Sequence, residues 1–79
     1  MNKSEMERKF RVLLDTRKEL LKRAVEGGSQ VSAMTLCGEI CGVAASMRML
    51  GLLDYEQQQY LQDQARAAAR GETDGFEGC

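Results

Sequence analysis

The 79-residue chain contains no histidine, no tryptophan and no proline, and only four of its residues are aromatic. The absence of histidine removes the side chain that most often acts as a general base near neutral pH. Aromatic residues and threonine, which favour strands, are scarce, so leucine, methionine, isoleucine, valine and alanine must supply the core. The composition therefore predicts an all-α fold. We expect that the protein has no catalytic residue and is not an enzyme.

The chain also lacks a long apolar run. Glu39 and Arg48 interrupt its most apolar stretch, which falls short of the roughly 18 uninterrupted apolar residues of a membrane span. Charged residues occupy the first turns, where the apolar region of a signal peptide would lie. An odd number of cysteines, three, is typical of reduced thiols. We expect a cytoplasmic protein that does not contact a membrane.

The charges are nearly balanced, with a formal net charge of −1. Residues 1–26 hold eight basic and five acidic side chains, a balance of +3, and the remainder holds three basic and seven acidic ones, a balance of −4. The sequence pI of about 5.4 lies far below the value of about 9 that is usual for nucleic-acid-binding domains. We therefore expect no nucleic acid partner.

Apolar periodicity and glycine positions predict three helices, at about 4–26, 30–50 and 55–70, in one domain. The polar, glycine-rich residues 71–79 are predicted to form a flexible tail. The long first and second helices are expected to form an antiparallel hairpin, with the shorter third helix folded alongside and two chains assembled into a dimeric bundle.

Local signals mark the ends of these helices. Ser4 and Glu7 have the spacing of a capping box, and Gly27 is predicted to take the left-handed conformation that ends the first helix. Ser29 is the favoured N-cap of the second helix. The segment Gly51–Asp54 is predicted to end the second helix at Gly51 and to cap the third at Asp54.

The second predicted helix is apolar on nearly every side, and only a narrow polar seam interrupts it. A helix of this kind must be covered on nearly every side. The first helix offers one apolar face, but the third offers mainly alanine and is expected to shield little. We therefore predict that a second copy of the chain covers the rest. The alternative is that the bulky ridge of this helix, at Leu36, Ile40, Val43, Met47 and Leu50, is an ordinary intramolecular core. The predicted interface consists of Met34, Leu36, Ile40, Val43, Ala44, Met47 and Leu50.

Small residues line a groove beside this ridge, at Gly38, Gly42 and Ala45. Each glycine inside a helix costs about 0.5–1 kcal/mol relative to alanine. Either a neighbouring helix approaches closely and offsets this cost, or the helix breaks at one of the glycines. We favour an unbroken helix with close packing at these three positions.

Cys37 and Cys41 lie four residues apart on one helical face. A structural zinc site needs about four ligands, and the third cysteine, Cys79, lies in the predicted tail. Two chains could pool their pairs into a four-thiolate site, and redox chemistry is a further alternative. Buried thiols also pack as small hydrophobic groups. We expect core packing here, with no metal and no cofactor.

No motif in the chain resembles a known family. We expect a small non-enzymatic regulator that acts through protein–protein binding and self-association, in the general manner of phage- or plasmid-encoded inhibitors and antirepressors. Its partners would be a second copy, in a homodimer, and another protein. One alternative is a DNA-binding regulator with a degenerate helix-turn-helix, in which Gly42 is the turn and Arg48 replaces the required apolar residue. The other is a structural subunit of a larger assembly.

Overall fold

A computed structural model of the chain describes residues 2–72 and consists of three α-helices, with no strand in that range. The all-α prediction is confirmed. Most of the predicted tail, residues 73–79, lies outside the described residues. The helices are α1 at Lys3–Glu26, α2 at Gln30–Met49 and α3 at Tyr55–Ala69.

The first helix begins earlier than its sequence signal indicates. The Asn2 side chain accepts a hydrogen bond of 2.8 Å from the backbone N–H of Glu5, which makes Asn2 the N-cap. Ser4 lies inside the first turn, so the predicted capping box of Ser4 and Glu7 is wrong. Asparagine satisfies the free N–H groups of a first turn as well as serine does, and here it lies two residues closer to the N-terminus.

The connection between α1 and α2 uses its second glycine as the left-handed residue. Gly28 has φ of +75°, whereas Gly27 has φ of −81° and ψ of −3° and continues the helical conformation. The prediction that Gly27 is left-handed is therefore wrong by one position. The backbone N–H of Ser29 then donates to the carbonyl of Ala24 over 2.9 Å. Ser29 is the N-cap of α2, but its side chain forms no capping hydrogen bond.

The connection between α2 and α3 forms as predicted. Gly51 has φ of +77°, and the backbone N–H of Leu52 donates to the carbonyl of Met47 over 2.8 Å. Asp54 accepts from the backbone N–H of Gln57 over 2.8 Å, and the backbone N–H of Asp54 donates to the Gln57 side chain over 2.9 Å. This reciprocal pair is the predicted capping box.

The core lies on α2, which runs unbroken through both of its glycines and packs against α1 and α3. Ile40 and Met47 are among the largest side chains that are fully withdrawn from solvent. Burial of each contributes about 1.5–3 kcal/mol. The buried apolar residues are Leu14, Leu21, Ala33, Ile40, Ala44, Met47, Ala65 and Ala68.

The third helix covers α2 better than its alanine content suggests. Ala65 and Ala68 are buried, and so is Gln62, whose Nε2 donates to the carbonyl of Cys41 over 3.2 Å. The expectation that α3 shields little of α2 is therefore wrong. Small side chains let two helix backbones approach closely, so a helix that offers little apolar area of its own can still exclude water from its neighbour.

The glycines of α2 do not mark a close approach within one chain. A Cβ atom added at Gly38 or Gly42 would meet no heavy atom of a neighbouring segment within 4 Å in the described part of the chain. Ala45, the third of these positions, is half-buried. The predicted close packing is thus not found at either glycine inside the single chain.

The structure predicts that alanine has opposite effects on the free energy of unfolding at Gly38 and at Gly28. Gly38→Ala should raise the free energy of unfolding by about 0.5–1 kcal/mol, because the new methyl group meets open space and alanine is the better helix former. Gly28→Ala should lower it by about 1–2 kcal/mol, because alanine adopts positive φ at a cost. Urea unfolding followed by circular dichroism measures both. A destabilised Gly38→Ala variant would mean that another chain packs against this position.

Candidate functional site

Large apolar side chains remain exposed on α1 and at the end of α2. Leu13 and Leu20 are 42% and 43% exposed, and their seven-residue spacing places them on one face of α1. Leu50 is 47% exposed, and Leu36 and Val43 precede it at seven-residue intervals along α2. Leu36 and Val43 are half-buried at the edge of the core. Each helix therefore carries a row of apolar side chains beyond the packed interior.

Three residues of the predicted interface lie inside the single chain. Ile40 and Ala44 have no exposed surface and Met47 is 1% exposed. They form the core with α1 and α3, so they are not available on the surface of this chain. This is the intramolecular alternative considered for the ridge, and it corrects the assignment of these three residues to an interface.

The other members of the predicted interface lie on two different flanks of α2. Leu36, Val43 and Leu50 form one row, which the α1 packing leaves partly open. Met34 is 64% exposed and lies on the flank that faces α3. The second apolar flank of α2, which was expected to need a second chain, is therefore partly covered by α3.

A cavity of about 230 Å³ opens between α2 and α3. Cys37 lines it on the α2 side, and Arg66 of α3 and Arg70, which follows α3, line the other side. One turn further along α2, the carbonyl of Cys41 accepts the hydrogen bond from Gln62 described above. The residues that line the cavity are Gln30, Met34, Cys37, Arg66, Ala69 and Arg70.

Cys37 and Cys41 are neighbours, one turn apart, on the side of α2 that faces α3. Both are free thiols packed against the core. Burial raises the pKa of the Cys41 thiol above its ordinary value, and the neighbouring Cys37 raises it further. The positive charge of Arg66 acts in the opposite direction and lowers the pKa of Cys41. The Cys41 thiol therefore loses its proton less readily than an exposed cysteine does.

The described residues also bear on a metal site, a membrane-spanning helix and the helix-turn-helix alternative. Between residues 2 and 72, no group of three or more histidine, cysteine, aspartate and glutamate side chains gathers where it could hold a metal ion. Within the same range, every helix is too short or too polar to cross a bilayer. The helix-turn-helix alternative needs a turn at Gly42, whereas α2 continues through this residue as one helix. The unbroken α2 leaves no turn between the two helices that this motif requires.

Comparison of the chain with protein-family models, with curated proteins and with solved structures finds no match.

Sequence reasoning overlooked Leu13, Leu20 and Arg66. The sequence alone places Leu13 and Leu20 within the one apolar face that the first helix is expected to pack against the second. The signal that distinguishes them is their position one residue before the buried Leu14 and Leu21, which rotates them by about 100° around the helix axis and away from that buried row. Arg66 carries no local signal, because its role depends on how α3 docks against α2.

The raised pKa of Cys41 predicts its reactivity. Alkylation requires the thiolate, so the pH at which the reaction of Cys41 with iodoacetamide reaches half of its maximal rate should be higher in the folded chain than in urea. The pH midpoint, unlike the absolute rate, does not depend on how accessible the sulfur is. Mass spectrometry of the alkylated peptides measures it, and equal midpoints in the two conditions would contradict the prediction.

Proposed function

We propose that this protein is a non-enzymatic binding protein that acts through one apolar surface, and that the occupant of this surface is a second copy of the chain. The surface, here called the leucine face, consists of Leu13, Leu20, Leu36, Val43 and Leu50. The observation that carries the proposal is that α3 covers only one flank of α2, so that apolar side chains on the other flank meet water. Contiguous exposed apolar surface is typical of interaction sites.

An antiparallel hairpin of α1 and α2 would unite the two rows into one surface. The connection between the helices spans only residues 27–29, which favours antiparallel neighbours. In such a hairpin Leu20 lies level with Leu36, and Leu13 lies level with Val43. The α3 contacts of Cys37 and Cys41 are on the other side of α2, about a third of a turn or more away. The leucine face is thus free of α3.

The size of this surface suits a dimer. With 24 and 20 residues, α1 and α2 are about 36 and 30 Å long. Two helices whose axes are about 8–10 Å apart present a surface of about 600 Å² in projection. Stable interfaces bury about 800 Å² per partner, so the leucine face and its rim approach the area that a specific dimer needs.

Charge determines how two copies would pair. In such a hairpin Arg17 of α1 and Glu39 of α2 would lie near the middle of the leucine face and level with one another. A two-fold axis parallel to the helices places α1 on the partner's α2, so that Arg17 faces Glu39 of the partner subunit. An axis perpendicular to the helices would place Arg17 against the same residue of the other copy, and like charges repel. We therefore propose the first arrangement, with isologous contacts.

The same surface would also suit a regulatory role. An apolar helix face can occupy a groove on another protein, while the charged rim sets specificity and association rate. A face that pairs with itself when no target is present, and with a target when one is available, suits a small inhibitor or antirepressor. Because no part of this activity requires bond chemistry, we propose that the protein is not an enzyme.

Substitutions on the leucine face test this proposal. Leu13→Glu and Leu20→Glu should convert a dimer into a folded monomer, because a buried, unpaired carboxylate opposes association but is well solvated in the free chain. Val12→Glu and Met49→Glu are matched controls, since Val12 and Met49 are 60% and 88% exposed on other faces of their helices. Light scattering gives the mass, and circular dichroism gives the helix content. A parent chain that is monomeric at high concentration would contradict self-association. If the control variants were monomeric instead, the interface would lie at Val12 or Met49 and not at the leucine face.

The central charges allow a sharper test of the pairing geometry. Arg17→Glu and Glu39→Arg should each weaken the dimer, since each places like charges in opposition across the interface. The double variant, which carries both substitutions, should regain most of the lost affinity, with a coupling energy of about 1 kcal/mol or more. Sedimentation equilibrium at low and physiological salt measures all four chains. Additive losses in the double variant would exclude the arrangement of α1 on the partner's α2.

A further inference from the structure

A second cavity, of about 180 Å³, opens where α1 and α3 end and α2 begins. It shares Gln30, Ala69 and Arg70 with the cavity of about 230 Å³ between α2 and α3. The two cavities therefore form one continuous depression, here called the α2–α3 groove. Among the described residues, arginine lines both cavities and no acidic side chain lines either. The walls of the α2–α3 groove thus combine apolar surface with positive charge.

The last described residues lie at the mouth of the α2–α3 groove. Gly71 has φ of +71°, and its backbone N–H donates to the carbonyl of Ala68 over 3.0 Å. The N–H of Glu72 donates to the carbonyl of Ala67 over the same distance. These two hydrogen bonds form a Schellman motif, which ends the helix. Because Gly71 itself lines the cavity of about 180 Å³, the residues that follow Glu72 start beside the groove.

The first turn of α2 lies at one end of the groove and has no negative charge of its own. Ser29 is the N-cap, but its side chain forms no capping hydrogen bond, and the first turn contains no acidic residue. Ser29 and Gln30 both line the cavity of about 180 Å³. Free backbone N–H groups and the helix dipole favour a carboxylate at such a position.

The sequence after Glu72 carries groups that match the groove in the same order. Residues 73–79 read Thr-Asp-Gly-Phe-Glu-Gly-Cys, so Phe76 lies between two acidic residues, Asp74 and Glu77. The four residues from Glu72 to Phe76 span at most about 14 Å, which exceeds the rise of about 10.5 Å over the first two turns of α2. An apolar cavity of about 150 Å³ accommodates a benzene ring. The cavity between α2 and α3, of about 230 Å³, is therefore within reach of Phe76 and large enough for its ring.

We propose that this segment binds in the α2–α3 groove of its own chain, with Phe76 in the cavity between α2 and α3. Asp74 then lies at the first turn of α2, and Glu77 lies beside Arg66 at the rim. Composition alone predicts a flexible tail for residues 71–79, but the groove offers this segment apolar surface and opposite charge. The short connection to α3 keeps the segment at a high effective concentration, which favours it over the same segment of a second copy.

The arginines of the groove remain able to bind another carboxylate. Arg66 Nη1 pairs with Asp63 over 3.2 Å, and Arg70 pairs with Glu72. The side chains of both pairs are at least half exposed, and exposed pairs of this kind contribute little to stability. A guanidinium has five N–H donors, so Arg66 can keep its contact with Asp63 and also bind Glu77.

The test is NMR spectroscopy of the full chain with isotope-labelled methionine methyl groups. The Met34 methyl group lines the cavity, so it should show a nuclear Overhauser effect to the Phe76 ring and a ring-current shift that Phe76→Ala abolishes. Met49, which is 88% exposed, should show neither. Tyr55→Ala is the matched control, because it removes an exposed ring at the other end of α3, about 21 Å away, and should leave the Met34 resonance unchanged.

Alkylation gives a second measurement of the same contact. In a parent that carries Cys41→Ser and Cys79→Ser, Cys37 is the only thiol, and Phe76 covers it. Its reaction with iodoacetamide in the folded chain should become faster on the order of 10-fold in Phe76→Ala, because the ring no longer closes the cavity. Asp74→Asn and Glu77→Gln should each give a smaller increase that fades at high salt. Circular dichroism checks that each variant keeps its helix content.

A mixing experiment identifies which chain supplies the segment. Labelled Phe76→Ala chain, mixed with unlabelled parent, should keep the Met34 resonance that it shows alone. If the resonance of the parent returns in the mixture, the segment binds a second copy and the intramolecular arrangement is wrong. Absence of the Overhauser effect in the parent, or unchanged alkylation of Cys37 in Phe76→Ala, would also overturn the proposal. These measurements do not involve the leucine face, so they are independent of the dimer proposed above.

Discussion

The burial of Ile40 and Met47 between α1 and α3 is the interaction on which the rest of the structure depends. A chain of 79 residues without tryptophan has few large side chains, and a core of this size is only marginally sufficient. Two flanking helices can cover α2 on two adjacent sides but not all round. The outermost side carries small and polar residues together with Val31 and Met49, two apolar side chains that are largely exposed. The flank next to α1 carries leucine and valine, and that flank is where an apolar surface remains.

The third helix shows how a weakly apolar segment completes this core. Ala65 and Ala68 are buried because their side chains are short enough for the backbone of α3 to lie close to α2. Gln62 is buried with them, and its hydrogen bond to the carbonyl of Cys41 satisfies its amide. The same docking brings Arg66 beside the cysteine pair. Coverage of α2 and the electrostatic environment of its thiols thus have one cause.

The parts of the fold that local hydrogen bonds determine could be predicted from the sequence. The turn from Gly51 to Asp54 is one example, since its positive φ and capping box involve only neighbouring residues. The errors at Asn2 and Gly28 are of one or two positions, where adjacent residues offered equivalent chemistry. The larger error concerned which residues face outward. Ile40 and Leu50 belong to the same apolar ridge, yet one is buried and the other is 47% exposed, because that depends on where α1 and α3 dock. Periodicity along one helix carries no information about the position of its neighbours.

The leucine face and the cavity lined by Met34 and Cys37 lie on opposite flanks of α2, and the buried row that contains Ile40 and Met47 separates them. Effects of substitutions that share no contact usually add, so a change at Leu13 should leave the cavity undisturbed, and a change at Cys37 should leave the leucine face in place. The two surfaces could influence one another only through a shift of α2 as a body. Such a shift would have to displace side chains from a close-packed core, and cores resist small displacements of this kind. The two flanks of α2 are therefore independent surfaces of one rigid helix, and the geometry of each follows from the helix that does or does not cover it.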